Sequence, residues 1–319
     1  MSFGEKTTAA EVAAVFGSRI AGKHFVVTGG NSGLGKETAR VLAASGAIVT
    51  LCCRSVAKAE EAKNEIIHET PNAEIRIVPL DLADLKSVKE SAEILAKATP
   101  KINVLINNAG VMACPKALTQ NGLEFQFQTN YLAPYYLTLL LLDALHESGT
   151  PADPSRVINV SSTANVLFGP DAGISFDDLA AKKSYNPWSR YGESKLAQIV
   201  SAADLQKRIA GKKNVAFVSV HPGNIPSSNL TQYIGLSSGL KMTTAIHFNK
   251  IGPSKILSQK SIPEGAATIV FCAVDPNIQF GKYYSDCDVT DIVHSLAFDE
   301  SLAAKLTEIS DKLIADANL

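Results

Sequence analysis

Surplus charge is missing from this chain of 319 residues: 30 Lys and Arg stand against 31 Asp and Glu, a formal net charge of −1. That balance argues against a basic nucleic-acid surface or a polybasic membrane patch. Cysteine is scarce and odd in number, the five being Cys52, Cys53, Cys114, Cys272 and Cys287, with no C-x-x-C spacing. No disulfide framework is expected, and thiols used as small core residues fit a reducing compartment. H-E-x-x-H and paired Cys/His clusters are absent, so no metal site is expected. Long apolar runs are lacking too. The most apolar stretch, residues 131–142, contains Pro134 and Thr138 and falls short of the roughly 20 residues a spanning helix needs. A buried core helix is expected there. The N-terminal region carries Glu5, Lys6, Glu11 and Arg19 without an apolar signal segment. These absences lead to the expectation of a soluble, cytoplasmic protein. What is plentiful is apolar content, 46%, enough for a large core without disulfides.

One stretch organises the rest. Phe25-Val26-Val27 leads into Thr28-Gly29-Gly30-Asn31-Ser32-Gly33-Leu34-Gly35, and a helical pattern follows over 36–44, with Ala39, Leu42 and Ala43 on one face. A strand, a glycine turn and a helix together present backbone N–H groups and a helix N-terminus to a phosphate. Gly29 and Gly33 can take positive φ and let the backbone approach a pyrophosphate closely. Gly29, Ser32, Gly33, Leu34 and Gly35 are therefore candidate cofactor-binding residues. The spacing is G-x-x-x-G-x-G rather than the commoner G-x-G-x-x-G, and an ordinary glycine-rich turn would also read this way.

Before the turn, residues 7–20 read as a threonine-capped helix, part of an N-terminal extension over 1–22. After it, strands and helices alternate. Residues 47–53 form a near-continuous apolar strand, of the kind buried on both faces. Cys52 and Cys53 leave no carboxylate at its end, and Arg54 follows. An acidic residue there would grip a ribose 2′-hydroxyl, whereas an arginine suits a 2′-phosphate, so Arg54 points to NADP; the plain alternative is a solvated arginine. A helix over 56–68 and a strand over 74–80 come next. Asp81, followed by Leu82, either accepts from an adenine amino group or caps the helix starting near Leu85. The strand over 102–106 ends in Asn107-Asn108-Ala109-Gly110. Asn108, Ala109 and Gly110 suit a floor under a cofactor, because ligands in open parallel sheets lie outside the strands' C-terminal ends.

T-G-x-x-x-G-x-G followed by N-N-A-G resembles the short-chain dehydrogenase/reductase family. The likeness continues through the strand ending Ser161-Ser162, through Tyr191-Gly192-Glu193-Ser194-Lys195 and through His221-Pro222-Gly223, over residues 20–290. Gly33-Leu34-Gly35-Lys36-Glu37-Thr38-Ala39 and Gly281-Lys282-Tyr283-Tyr284-Ser285-Asp286-Cys287 are similar to its retinol-dehydrogenase-like branch, which favours NADP(H). Tyr191 and Lys195 share a face if 189–210 is a helix. A neighbouring ammonium would lower the tyrosine pKa, and an oxidised nicotinamide would add to this, making Tyr191 the general acid/base. The resemblance implies that Lys195 also holds the nicotinamide ribose. It maps the substrate-polarising serine to Ser162 rather than Ser161, and a water-positioning role beside the lysine to Asn130. Asn130 could instead satisfy a carbonyl at a helix kink near Pro134. By the same resemblance Pro222, Gly223 and Ile225 wall the nicotinamide. Ser227 stands where the family commonly has a threonine on the carboxamide, next to an unusual Pro226. His221 reads as structural.

Residues 224–262 read as a substrate-covering insertion. Tyr233, Ile234, Leu236, Leu240, Met242, Ile246, Phe248 and Ile251 suggest an apolar pocket with a mobile lid, or a satellite packing cluster. Trp188 is a candidate for the same pocket. The stretch 300–316 reads as an amphipathic packing or subunit-contact helix, with Leu302, Leu306, Ile309 and Leu313 at helical spacing. The expected fold is α/β, a single Rossmann-type doubly wound and mainly parallel sheet with helices on both faces, over 23–319. The expected function is NADP-dependent interconversion of a ketone or aldehyde and an alcohol on an apolar small molecule. The rivals are an NAD-dependent or dehydrating family member and a non-catalytic NADP-binding regulator; retention of Ser162, Tyr191 and Lys195 argues against the regulator. Related proteins pair through the helices near 120–148 and 190–211, whose faces here are apolar enough to permit a homodimer or homotetramer; the sequence leaves the oligomeric state open.

Overall fold

Strand His24–Thr28 (β1) has five buried residues in a row, as in a strand covered on both faces. It is followed by Ile48–Cys53 (β2), Glu74–Pro79 (β3), Val104–Asn107 (β4), Ser155–Val160 (β5), Val215–His221 (β6), Tyr283–Ser285 (β7) and Asp288–Val289 (β8). In this computed structural model, which describes residues 3–98, 101–209, 211–227, 230, 258–317 and 319, the strands form one sheet in the order β3-β2-β1-β4-β5-β6-β7-β8. Neighbours from β3 to β7 are parallel, and β8 runs antiparallel to β7. The Rossmann-type α/β fold expected from the alternating pattern is the fold found.

Side chains alternate between two core layers. Val26, Leu105, Val157 and Phe217 enter one layer; Val27, Ile106, Ile158 and Val218 enter the other. The second layer is covered by helices Ala9–Ile20, Gly33–Ala44, Val56–Glu69 and Ile262–Val274. At the first of these, Thr8 and Glu11 form a capping box, with the Glu11 carboxylate accepting from the Thr8 N–H at 2.7 Å. Ala9, Val12 and Ile20 are fully buried there, so this helix belongs to the core layer.

Leu85–Ala98, Pro187–Ile209 and Glu300–Asp316 cover the opposite layer, together with the apolar run around residue 131. That run is not one helix. It comprises a π-helical turn, Gln128–Leu132, then Ala133–Leu140 and Leu142–His146. Pro134 has no N–H to continue the ladder, and the Thr138 hydroxyl donates to the Pro134 carbonyl at 2.8 Å. The C-terminal helix buries Leu306 and accepts the Tyr135 hydroxyl on Asp311 at 2.9 Å. Among the described residues no helix is long and apolar enough to cross a membrane.

Because β1, β2, β4, β5 and β6 are parallel, the segments that follow them share one edge of the sheet. Chain order reverses between β1 and β4, which opens a crevice there. The apolar residues expected to cover a substrate, Tyr233 to Ile251, lie outside the described residues.

Candidate active site

The glycine turn leaves β1 with Gly29 at φ +66° and Gly33 at φ +53°, a region that side chains rarely adopt. The following helix starts at Gly33, earlier than the pattern over 36–44 suggested, because Ser32 is extended and serves as N-cap. The Ser32 hydroxyl makes no bond to the helix, and the first turn contains no acidic residue. Asn108 ties this turn to β4. Its Nδ2 donates to the Thr28 carbonyl at 2.9 Å, and the N–H groups of Asn108 and Ala109 both donate to Thr28 Oγ1 at 3.0 Å. A Cβ on Gly35 would overlap the Gly29 carbonyl and Asn108 Nδ2. Gly35→Ala is expected to destabilise the fold by about 1–3 kcal/mol through overpacking. Urea unfolding would check this, and an unchanged midpoint would show that the turn can yield.

The segment after β5 meets the helix Pro187–Ile209. Ser161 Oγ donates to the Lys195 carbonyl at 2.7 Å, so its hydroxyl is engaged with the backbone. The Ser162 hydroxyl lies beside the Tyr191 phenol, whose pKa it lowers, and accepts from the Ala164 N–H at 3.2 Å. Tyr191 and Lys195 are 3% and 4% exposed, and the Lys195 ammonium lies 5.6 Å from the Tyr191 ring centroid. Lys195 Nζ donates to the Val160 carbonyl at 2.8 Å and to Gln198 Oε1 at 3.1 Å. Gly110 lies over this group, since a Cβ there would come within 3.2 Å of Asn130 Oδ1 and 3.5 Å of Lys195 Nζ. The buried Arg190 carries the start of the helix, pairing with Asp178 at 2.9 Å and Glu193 at 3.2 Å.

The lowered tyrosine pKa expected from the Tyr191–Lys195 spacing is not found in the chain itself. Burial pushes the phenol up to about 12 against the opposing bond from Ser162, and pushes the Lys195 ammonium down to about 7. Burial opposes the charged form of both groups, so the chain by itself leaves the phenol high and the lysine low.

Asn130 sits in the π-helical turn. Its Nδ2 donates to the Val111 carbonyl and to Ser194 Oγ, both at 2.9 Å, and its Oδ1 accepts from the Val111 N–H at 2.8 Å. These bonds offset the cost of burying an amide. Its side chain serves Val111 and Ser194 rather than a kink carbonyl near Pro134. The Asn130 carbonyl accepts from Gln198 Nε2 at 2.8 Å. The sequence reading missed Gln198; a polar residue one turn past Lys195 on the buried helix face was the available signal.

After β6, Pro222 and Ile225 are buried, and Gly223 has φ +95° with the Lys260 side chain against it. Lys260, almost wholly buried, pairs with Asp286. Ser227 is exposed. Arg54 is exposed just past β2 and pairs with no carboxylate among the described residues, unlike its neighbours Lys36, held by Glu65, and Arg40, held by Glu37. Asp81 accepts from the Ala83 N–H at 2.9 Å; Asp84, not Asp81, caps the next helix, accepting from Lys86 N–H at 2.9 Å. Leu82 is buried. Trp188 stacks on Phe168 with centroids 4.8 Å apart. Among the described residues no three His, Cys, Asp or Glu side chains gather as a metal site. A cavity of about 200 Å³, lined by Arg19, Lys23, Asn103 and Arg156, opens at the opposite edge, where β4 and β5 begin.

His221 is buried, with Nδ1 unpartnered, and burial pushes its imidazole down to about 4. It is therefore neutral at neutral pH. A folded-state pKa below the unfolded value makes its contribution to stability complete above about pH 6.5 and lost as pH falls toward 4, roughly 3 kcal/mol in all. His221→Gln is expected to flatten the acid limb of stability in that window. Denaturant unfolding at several pH values would test this; identical limbs would refute it.

The family described as short chain dehydrogenase matches over residues 23–172. The chloroplastic short-chain dehydrogenase TIC 32 B of Brassica napus is 36% identical over 318 residues, spanning 98% of this chain and 94% of its own length. Retinol dehydrogenase 12 of Mus musculus is 39% identical over 298 residues, spanning 93% of this chain and 87% of its own length. A solved structure of an uncharacterised protein from Mycobacterium paratuberculosis is 30% identical, with a TM-score of 0.71 over 93% of this chain and 94% of that one.

Proposed function

The chain belongs to the short-chain dehydrogenase/reductase family, whose oxidoreductases use NAD(P), and we propose that it uses NADP(H) to interconvert a ketone or aldehyde and an alcohol on an apolar small molecule. The observation that carries this reading is the grouping of Ser162, Tyr191 and Lys195, with Gly110 close to the Lys195 ammonium, on the sheet edge that also bears the glycine turn.

The turn fits a dinucleotide: two glycines at positive φ precede a helix with no acid in its first turn. Gly29, Ser32, Gly33, Leu34 and Gly35 would hold the pyrophosphate. Asp81 and Leu82 would meet the adenine, and Asn108, Ala109 and Gly110 would underlie the cofactor. Lys195 would hold the ribose, and Pro222, Gly223, Ile225 and Ser227 the nicotinamide. Arg54, without a carboxylate partner among the described residues, would take the 2′-phosphate. When bound, the nicotinamide supplies or accepts the hydride. Tyr191 gives a proton to the carbonyl oxygen in reduction and removes it from the alcohol in oxidation. The Ser162 hydroxyl donates to the same oxygen as charge grows on it. Trp188 and Phe168, on and beside the Tyr191 helix, favour an apolar substrate.

The test is a fluorescence titration with NADPH and NADH, then a panel of apolar carbonyls followed at the NADPH absorbance. The panel includes retinal, because one relative is named a retinol dehydrogenase. Tighter binding of NADPH and turnover of a panel member are expected. A preference for NADH would overturn the cofactor assignment. Binding without turnover of any carbonyl or alcohol would favour a non-catalytic regulator.

A further inference from the structure

Gln198 lies one turn beyond Lys195 and is 1% exposed. Its amide joins two parts of the site. Nε2 donates to the Asn130 carbonyl at 2.8 Å, and Oε1 accepts from Lys195 Nζ at 3.1 Å. Only one orientation of the amide allows both bonds, because a carbonyl can only accept and an ammonium can only donate. Asn130 is anchored in turn by its side-chain bonds to Val111 and Ser194. The Lys195 head is thus held between two carbonyl oxygens, those of Val160 and Gln198, and keeps its third N–H.

We propose that Gln198 is a positioning residue: its side chain holds Lys195 in the ammonium form and in place for Tyr191, using the Asn130 carbonyl as its own anchor. The inference rests on the reading of Tyr191 and Lys195 given above. An amide in its ordinary tautomer does not relay a proton, so this link orients and polarises. The need for it follows from burial, which drives Lys195 toward neutrality and leaves the phenol high. An acceptor on Nζ favours the charged form and opposes that drift. The titratable group facing Nζ is Tyr191 on the same helix, with Tyr283 of β7 behind it. Among the described residues no carboxylate pairs with Lys195, so the two carbonyl oxygens are what the ammonium has.

A residue that merely packed the helix against the π-helical turn would affect stability without affecting the lysine. The test is therefore the ionisation of Lys195 in the full chain, followed by NMR with lysine labelled at Cε and assigned by loss of the signal in Lys195→Met. In Gln198→Leu the midpoint is expected to fall by about one pH unit, a tenfold change in the equilibrium. In Gln198→Glu, nearly the same shape with an added charge, it is expected to rise by about as much, and this variant carries the test if the leucine variant fails to fold. A midpoint unmoved in a folded variant would overturn the proposal. In Gln198→Leu the pH at half-maximal alcohol oxidation is also expected to move upward, as the phenol loses its charged neighbour. The two readings fail separately. Absence of turnover in the wild type would remove the proposed reaction and leave the Lys195 midpoint to decide the role of Gln198. An active wild type, an inactive Tyr191→Phe variant and an unmoved midpoint would remove only the role of Gln198.

Discussion

Tyr191→Phe is expected to lower turnover in both directions by roughly 10²–10⁴-fold, the usual contribution of a positioned acid/base, while NADPH still binds. The ring is 3% exposed and packed beside Lys195, so phenylalanine keeps the packing and removes only the hydroxyl. Ser162 remains to polarise the substrate oxygen but loses its phenol partner. Single-turnover rates with bound NADPH, alongside a fluorescence titration, would separate chemistry from binding. Full activity in the variant would end the acid/base assignment. The size of the effect also has an electrostatic side. A lysine ammonium beside the ring, its Nζ 5.6 Å from the ring centroid, favours the phenolate. Starting from about 12, the phenol is drawn toward neutrality only while Lys195 is charged. Alcohol oxidation is therefore expected to rise with pH across the neutral range.

Arg54→Ala is expected to weaken NADPH binding by about 1–3 kcal/mol, the loss of one or two charge-assisted hydrogen bonds, and to leave NADH nearly unchanged. Its exposed side chain pairs with no carboxylate among the described residues, and it follows a strand end occupied by Cys52 and Cys53. The difference between the two cofactors is the informative quantity. Salt would weaken the NADPH term further, because the contact is exposed. Equal losses for both cofactors would refute the 2′-phosphate assignment.

Much of the fold was readable before any coordinates. Strands buried on both faces are apolar at most successive positions, and residues 25–27, 48–53 and 104–106 carry that signal openly. Glycines that must take positive φ announce a turn, and Tyr191 and Lys195 share a helix face by spacing alone. The core helix around residue 131 is legible in its apolar run, but its π-helical turn leaves no mark in that periodicity; only the hydrogen-bond ladder shows it. The direction of the Tyr191 pKa in the chain by itself is not legible from spacing, for a related reason. Spacing reveals that a lysine is near, but whether it keeps its charge depends on burial.

Local pattern was enough to settle the alternation of strands and helices, the glycine turn and the shared face of Tyr191 and Lys195, because each depends on residues within a few positions of one another. Packing decided the rest. It engaged the Ser161 hydroxyl with the Lys195 backbone and left that of Ser162 beside the phenol. It also brought Gln198 between Lys195 and a carbonyl 68 positions away. Such contacts join segments distant in the chain, and burial sets their strength; both exist only once the sheet has assembled.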